Sequence, residues 1–574
     1  MKTILVCCFY GLVISLALLP VSADEKLEQR WLYLQTNLQV AENVPTTEAL
    51  LRRAAKAGYN GLVLADYKLN ILDRVPEHYF KHAAQIKRLC DELQIELIPT
   101  VAPMGYSDGL LAHNPNLAEG MPVKDALFTV RDGVAVLGSS DSTLRSANPL
   151  LSGGGFEEHK NHNAGGWQLQ DGPGEFSFVD TDEKHAGKSS LRWERRGAGK
   201  DDYLNARVSR SVKVAPWRQF HASVWIKAKQ YESAGEVRLF AMGADGRVIS
   251  HSNLGVKNDQ DWTEHHVIFN TLDNSEVRLY CGTWGLRGGT LWMDDLQLEE
   301  TAFVNLVRRA GCPLKVVSAD EGTVFEEGRD FAELADPKLG RVPWDGNFDV
   351  YHEPPVLKFL PNSRIKAGSE LKVSFFHAVT VYDGQVCCCL ADPEVLKVLE
   401  GQVRRVEKLF KPKTYFMSHD EIRVANWCDS CRRDGRSAGM LLAENVQQCI
   451  ATIRKVNPQA KLCVWSDMFD PHHNAVASDF YLVNGDLTGS WEGLPKDVLI
   501  VNWNSGKPAE SLPFFTGRGH SQVLAGFYDG DAASIKTWLS TGRDNKSSVS
   551  GAMYTTWHGN FTQLEAFAKH AWGN

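Results

Sequence analysis

The chain has 574 residues and 43% of them are hydrophobic, enough to fill several domain cores. Its net charge of −8, with no Lys/Arg run and no basic amphipathic helix, excludes nucleic acid and anionic membrane as natural partners. The 16 Trp and 15 Tyr are a large stock of flat amphipathic rings, which suit sugar faces as well as cores.

The first segment reads as an address. Lys2 is followed by an apolar run over 4–19 and then by Pro20-Val21-Ser22-Ala23, the pattern of a signal peptide (1–23) cleaved after Ala23. The run is short for a membrane span and no other long one follows, so the expectation is an exported protein with no transmembrane helix. From residue 31 strands and helices alternate: strands at 31–36, 61–65 and 95–101, helices at 46–57 and 79–93. This βαβαβ opening assigns 24–145 to the first part of a parallel α/β domain, with Asp66 at the end of its second strand.

Helical periodicity then disappears. Between 146 and 302 short alternating runs, such as 222–227, 237–241, 265–270 and 277–280, are punctuated by Gly, Asn and Asp, as in a β-sandwich. Residues 303–370 are irregular, partly β, and read as a return path. Over 371–574 the α/β rhythm resumes, with strands at 371–376, 414–418, 462–466, 499–503, 523–528 and 552–557 and clear helices at 393–409 and 438–456. The predicted fold is a (β/α)8 TIM barrel interrupted by an all-β jelly-roll insertion. A doubly wound open sheet is the competing arrangement, and the spread of polar residues over many strand ends favours the barrel.

Those strand ends carry the chemistry. His377 follows one strand, His419-Asp420-Glu421 the next, then come Trp465 with Asp467, Trp503, Tyr528-Asp529 and Trp557. Adjacent carboxylates after a buried strand need solvent, hydrogen bonds or a shifted pKa. Acids and Trp converging on one face provide the stacking surface and proton donor that sugar chemistry needs. Of the 12 cysteines, Cys7 and Cys8 leave with the signal. Cys387, Cys388 and Cys389 are consecutive, and Cys428-Asp-Ser-Cys431 is a lone CxxC. With no second CxxC to complete a zinc set, a disulfide or packed thiols is the expected reading.

Two resemblances follow from these residues. Asn148-Pro-Leu-Leu, Gly155-Phe-Glu157 and Leu291-Trp-Met-Asp-Asp-Leu resemble the edges of jelly-roll carbohydrate-binding modules of the family 4/9 type. That resemblance implies a structural calcium, with Glu157 and Asp295 as its candidates by position. The run Glu407-Lys-Leu-Phe-Lys-Pro-Lys-Thr-Tyr-Phe-Met-Ser-His-Asp-Glu421 resembles family-20 glycoside hydrolases, the β-N-acetylhexosaminidases, and Trp465, Tyr528-Asp529 and Trp557 match by type and order. It implies hydrolysis of an oligo- or polysaccharide carrying 2-acetamido sugars, with no catalytic cofactor. Glu421 would be the proton donor, Asp420 and Tyr528 would hold the acetamido group that attacks the anomeric carbon, and Asp66, His377, His419, Trp465, Asp467, Trp503, Asp529 and Trp557 would surround the sugar. The chain departs from that pattern in having His419 before the pair, no Arg in Trp31-Leu-Tyr-Leu-Gln-Thr-Asn37 and Asn560 in place of a late Glu, which predicts an altered grip on the far side of the sugar. Two other readings stay open: a retaining glycosidase using Glu421 with Asp467 as nucleophile, and a non-catalytic glycan-binding protein on a decayed barrel.

Overall fold

A computed structural model describes residues 27–138, 151–195, 205–233, 235–382 and 384–573. The expected signal segment, and Asn148 to Leu150 of the sandwich-edge motif, lie outside the described residues. No helix among the described residues is long and apolar enough to cross a membrane.

Eight parallel strands close into a barrel in chain order: β1 (Gln29–Gln35), β2 (Gly61–Ala65), β3 (Glu96–Val101), β4 (Thr414–Met417), β5 (Lys461–Trp465), β6 (Leu499–Asn502), β7 (Gln522–Phe527) and β8 (Val549–Thr555). Closure is made by β1 against β8, where Trp31 pairs with Met553. Alternate residues point inward, as the two-residue strand period requires. Trp31, Tyr33, Val63, Ile98, Phe416, Trp465, Val501 and Met553 share one interior cluster, so the barrel is packed rather than hollow. Gly61 is needed there, because a β-carbon at that position would lie 2.3 Å from the Trp31 ring.

Helices α1 (Asn43–Lys56), α2 (Glu77–Glu92), α3 (Pro393–Phe410), α4 (Ala438–Val456), α5 (Pro508–Gly517), α6 (Ser534–Asp544) and α7 (Leu564–Trp572) lie between or after the strands. α3 starts where its sequence says it should. Asp392 caps it by accepting from the Glu394 amide, Pro393 occupies the first turn, and Val395, Leu399, Val403, Val406 and Phe410 form its buried stripe. The expected alternation is incomplete, since two short 3-10 turns and the two-residue strand Leu482–Val483, but no α-helix, lie between β5 and β6 among the described residues.

The insertion after β3 holds three large antiparallel sheets in two bodies, with a small hairpin of His159–Lys160 and Asn163–Ala164 beside them. The first is the expected sandwich. One sheet runs Gln260–Asn270, Gln219–Ser233, Leu286–Thr301, Ser190–Arg195, Ser177–Asp180, and the other Val237–Gly243, Glu276–Thr283, Arg207–Lys213, Gln168–Leu169. Trp193, Phe220 and Leu291 of one meet Val208, Leu239 and Leu279 of the other in a continuous apolar layer. The second body corrects the sequence reading. The run 371–376, expected as a barrel strand, is Glu370–His377 and pairs antiparallel with Met121–Arg131 and Lys315–Ser318 in a five-stranded sheet. Residues 121–137, expected within the first barrel segment, belong to this sheet too. Alternation alone does not tell a strand's partners; here Val123, Phe128, Val316, Val373 and Phe375 bury a separate core.

The sandwich docks beside the strand-end loops of the barrel. Arg247 donates to the Tyr481 and Val483 carbonyls at 2.9 and 2.8 Å, and the Tyr382 amide donates to the His251 carbonyl at 2.6 Å.

Candidate active site

The loop leaving β4 is fastened on every side. The Met104 amide donates to the Ser418 carbonyl at 2.9 Å, tying the β3 and β4 loops together. Glu421 adopts a left-handed backbone, φ 46°, which costs a non-glycine residue roughly 1 kcal/mol or more. Its surroundings hold it there. Its amide donates to Asp467 Oδ2 at 2.9 Å, its carbonyl accepts from Gln385 Nε2 at 2.9 Å, Arg423 Nη2 lies 2.6 Å from its carboxylate, and the Tyr106 hydroxyl donates to the same oxygen. Gly105 makes the close approach possible, since a β-carbon there would sit 1.9 Å from the Asp420 carbonyl oxygen.

Asp420 and Glu421 both line a pocket of about 460 Å³. Tyr33 and Trp465, both buried, form its deep end with ring centroids 5.5 Å apart. Trp503 stacks on Tyr528 at 5.8 Å and 11°, Tyr528 meets Trp557 edge-on at 5.9 Å, and Trp557 meets Tyr33 at 5.4 Å. Trp557 is 39% exposed and forms the rim. Phe527, Tyr528 and Asp529 are three successive left-handed residues, φ 77°, 48° and 59°, at the end of β7. That irregularity turns Tyr528 onto the pocket, and such strain persists only where surrounding contacts over-determine it.

Electrostatics single out the carboxyl group of Asp420. Burial, then the charges of Asp467 and Glu421, push it up to about 8, against a lesser pull from Arg423. Asp467 is also raised, by burial first and by Glu421, although hydrogen bonds oppose this. Asp420 and Glu421 at the end of β4 and Asp467 at the end of β5 crowd together, and Asp420 therefore keeps its proton to a much higher pH than an ordinary carboxyl group.

Other expected site residues have different work. Asp467 is fully buried behind the pocket. Its Oδ2 accepts from the Glu421 amide and Asn474 Nδ2, both at 2.9 Å, and its Oδ1 from Trp503 Nε1 at 3.2 Å. Asp529 lies behind the Trp557 loop, accepting from the Thr556 hydroxyl at 2.5 Å and the Trp557 amide at 2.8 Å. Burial would raise it, but these donors hold it below its usual range. Asp66 is buried and closes the loop after β2 through Leu38, Lys68 and Tyr79, at 2.9, 2.9 and 3.0 Å. His419 points away, its Nε2 3.2 Å from Asn445 Oδ1 on α4, and burial pulls it down to about 4, leaving it neutral. His377 is remote: it ends a strand of the five-stranded sheet, 3.1 Å from Asn270 of the sandwich.

The pocket also contains residues the sequence reading passed over: Tyr33, Gln35, Pro103, Tyr106 and Ser418, with Arg423 beside it on Glu421. Tyr33 and Gln35 were legible in principle, lying two and four residues beyond the inward Trp31. Tyr106 sits in an irregular loop and carried no signal. In the sandwich, Glu157 and Asp295 converge over Gly155, where a β-carbon would lie 3.9 Å from Glu157 Oε1 and 3.4 Å from Asp295 Oδ1. The Lys188 amide donates to Glu157 Oε1 at 2.7 Å, and His185 Nδ1 is 2.7 Å from Asp295 Oδ2.

No family model matches the chain, and no curated protein matches it. Among solved structures, TmCBM61 in complex with β-1,4-galactotriose is 15% identical over 27% of this chain and 99% of that one, with a TM-score of 0.21. A rhamnosidase from Novosphingobium sp. PP1Y is 12% identical over 95% of this chain and 58% of that one, TM-score 0.34. The Flavobacterium johnsoniae chitobiase FjGH20 is 15% identical over 33% of this chain and 30% of that one, TM-score 0.24. At these TM-scores the likenesses carry no weight on function.

Proposed function

We propose that the protein is an exported glycoside hydrolase that cleaves 2-acetamido sugars from an oligo- or polysaccharide by substrate-assisted catalysis. The observation that carries this reading is that consecutive carboxyl groups, Asp420 and Glu421, open into one aromatic-walled pocket together with Tyr528. In such a pocket Trp465, Trp503 and Trp557 stack on the sugar ring. As substrate binds, the proton held on Asp420 passes to Glu421, and Asp420, now the carboxylate, accepts the acetamido N–H and stabilises the positive charge that develops there as the acetamido oxygen attacks the anomeric carbon. Tyr528 donates to that oxygen and keeps it aimed. Glu421 delivers the proton of the carboxyl cluster to the leaving oxygen, which requires it to part from Arg423 as substrate enters.

Asp467 argues against a two-carboxylate mechanism. It does not line the pocket, and donors occupy both of its oxygens. The retained, costly carboxyl pair argues against a decayed binding protein.

The substrate is longer than one sugar in this reading. Beyond Tyr106 a second hollow of about 360 Å³ is lined by Arg423, Tyr382 and Arg238, and a third, of about 480 Å³, continues from Arg238 and Tyr382 to Phe240 and Trp284 of the sandwich. Phe240, Tyr280 and Trp284 stack along that sheet at 5.0 and 5.1 Å, a platform for further sugar rings. Calcium belongs to the proposal as well: the oxygens of Glu157 and Asp295 are hard donors of the kind calcium takes.

The test is a panel of aryl glycosides with and without the 2-acetamido group, plus a thiazoline mimic of the cyclised intermediate. Turnover confined to acetamido sugars and tight thiazoline inhibition are expected, since the mimic resembles the high-energy state. Hydrolysis of unsubstituted glycosides with indifference to the thiazoline would refute the mechanism.

A further inference from the structure

The loop that begins at Asp420 and Glu421 ends in a buried cluster of thiols. Cys428 and Cys431 come from that loop, Cys389 from the segment entering α3 and Glu119 from the long loop after β3; one donor atom from each lies within 4.8 Å of all the others. Cys389 Sγ is 3.6 Å from Cys428 Sγ and 3.4 Å from Cys431 Sγ, and Cys431 Sγ is 3.2 Å from Glu119 Oε2. All four residues are buried, and every described cysteine is a free thiol. Of the two arrangements expected for Cys428 and Cys431, a disulfide or packed thiols, the structure has the packed thiols.

We infer that Cys389, Cys428, Cys431 and Glu119 form a structural site for one zinc ion, which staples the loop carrying the reacting carboxyl groups to the rest of the barrel. The spacing fits. With Zn–S near 2.3 Å and Zn–O near 2.1 Å, tetrahedral geometry puts sulfurs about 3.8 Å apart and sulfur about 3.6 Å from oxygen. The Cys389–Cys428, Cys389–Cys431 and Cys431–Glu119 pairs need to open by only a few tenths of an ångström to admit the ion, and every pair lies within 4.8 Å. A bonded disulfide needs about 2.05 Å, so no pair is poised for one without a larger shift.

The surroundings are those of a ligand set. Glu119 Oε1 accepts from the Trp427 and Cys428 amides at 2.7 and 2.9 Å, which fixes the carboxylate and leaves Oε2 facing the thiols. The Arg309 guanidinium acts on Cys389, Cys428 and Glu119 and offsets the surplus negative charge of three thiolates and a carboxylate around a divalent ion. The two amides satisfy only Oε1, so Oε2 is left facing the thiols with Cys431 Sγ as its neighbour at 3.2 Å. A fourth thiol, Cys312, hydrogen-bonds to Cys428 from outside the set. Binding displaces the thiol protons, so three thiols and the ion become three thiolates, the ion and three released protons.

The experiment uses the whole protein, purified reduced and without chelator from zinc-supplemented cells. Elemental analysis should find about one zinc per chain, and a mercurial that captures thiolates should release it. Cobalt exchanged for zinc should give the thiolate-to-metal charge-transfer and d–d bands of a tetrahedral site. Cys428→Ser and Cys389→Ser should lose the metal and lower the thermal midpoint; Cys90→Ser, a buried thiol on α2, should keep both. Should the serine variants fail to fold, Glu119→Gln reads the same question by faster loss of zinc to a chromogenic chelator. Wild-type protein with little bound zinc and no cobalt bands, or with a mapped disulfide among Cys389, Cys428 and Cys431, overturns the inference. Neither result bears on whether acetamido sugars are hydrolysed.

Discussion

Asp420→Asn tests the carboxyl cluster through stability as well as rate. Asp420 is raised from its usual 3.8 to about 8, so the folded protein holds a proton that the unfolded chain has released. Between those pH values folding takes up this proton, and wild-type stability falls as pH rises. At about 1.4 kcal/mol per pH unit the whole gap is about 6 kcal/mol. The side chain opens partly to solvent and shares its charge burden with Asp467 and Glu421, so about 2 kcal/mol is the realistic stabilisation of the asparagine variant at pH 8. Asparagine keeps the shape and never ionises. Thermal unfolding at pH 5, 7 and 9 should show the variant's midpoint advantage growing with pH, to a few degrees at pH 9. Its activity on acetamido substrates should fall by about 10²-fold or more, because the charge that stabilises the developing cation is gone. A variant that is less stable at pH 9, or whose difference from wild type does not change with pH, would refute the electrostatic account of the site.

Glu421→Gln should lower kcat by about 10²–10⁴-fold while oligosaccharide binding, measured by calorimetry, survives. Gly105→Ala drives a methyl group into the Asp420 carbonyl, 1.9 Å away, and should cost at least about tenfold in kcat with the sandwich's unfolding unchanged. Trp284→Ala removes a ring from the platform and should raise KM for long substrates severalfold while leaving a small aryl glycoside unaffected. EDTA should lower the unfolding midpoint of the sandwich if calcium bridges Glu157 and Asp295, and Glu157→Gln should abolish that sensitivity.

Much of the barrel was legible because its strands are short apolar runs between amphipathic helices, a pattern that survives in one dimension. The Asp420-Glu421 pair stood out for a related reason: charge directly after a buried strand has few structural uses. What the chain did not disclose is who pairs with whom. The run at 371–376 alternates like any strand, and only its register with 121–131 moves it, and His377 with it, out of the barrel. Asp66, Asp467 and Asp529 look identical to pocket acids in sequence, but their carboxylates turn to backbone amides and buried side chains. The thiol cluster was hidden for a different reason: its donors are drawn from positions 119, 389, 428 and 431, and no spacing rule joins the first two to the last.

These hidden contacts explain how so costly a loop persists. Glu421, Tyr528 and Asp529 sit in backbone conformations that their side chains disfavour, and nothing in their own strands enforces them. The enforcement is lateral. Asp467 holds the Glu421 amide, Gln385 its carbonyl and Arg423 its carboxylate, while Asp529 holds the Trp557 loop that closes the aromatic wall. Asp467 and Asp529 clamp from other strand ends and Gln385 from the segment that enters α3, while Arg423 clamps from two residues further along the same loop. Arg423 and Gln385 have a second role, since both border the hollow leading to the sandwich and Arg423 Nη1 donates to Gln385 Oε1 there. A sugar chain lying in that hollow therefore touches the group that holds Glu421. Binding in the groove and release of the acid from Arg423 are thereby linked, so a longer substrate should raise kcat as well as lower KM.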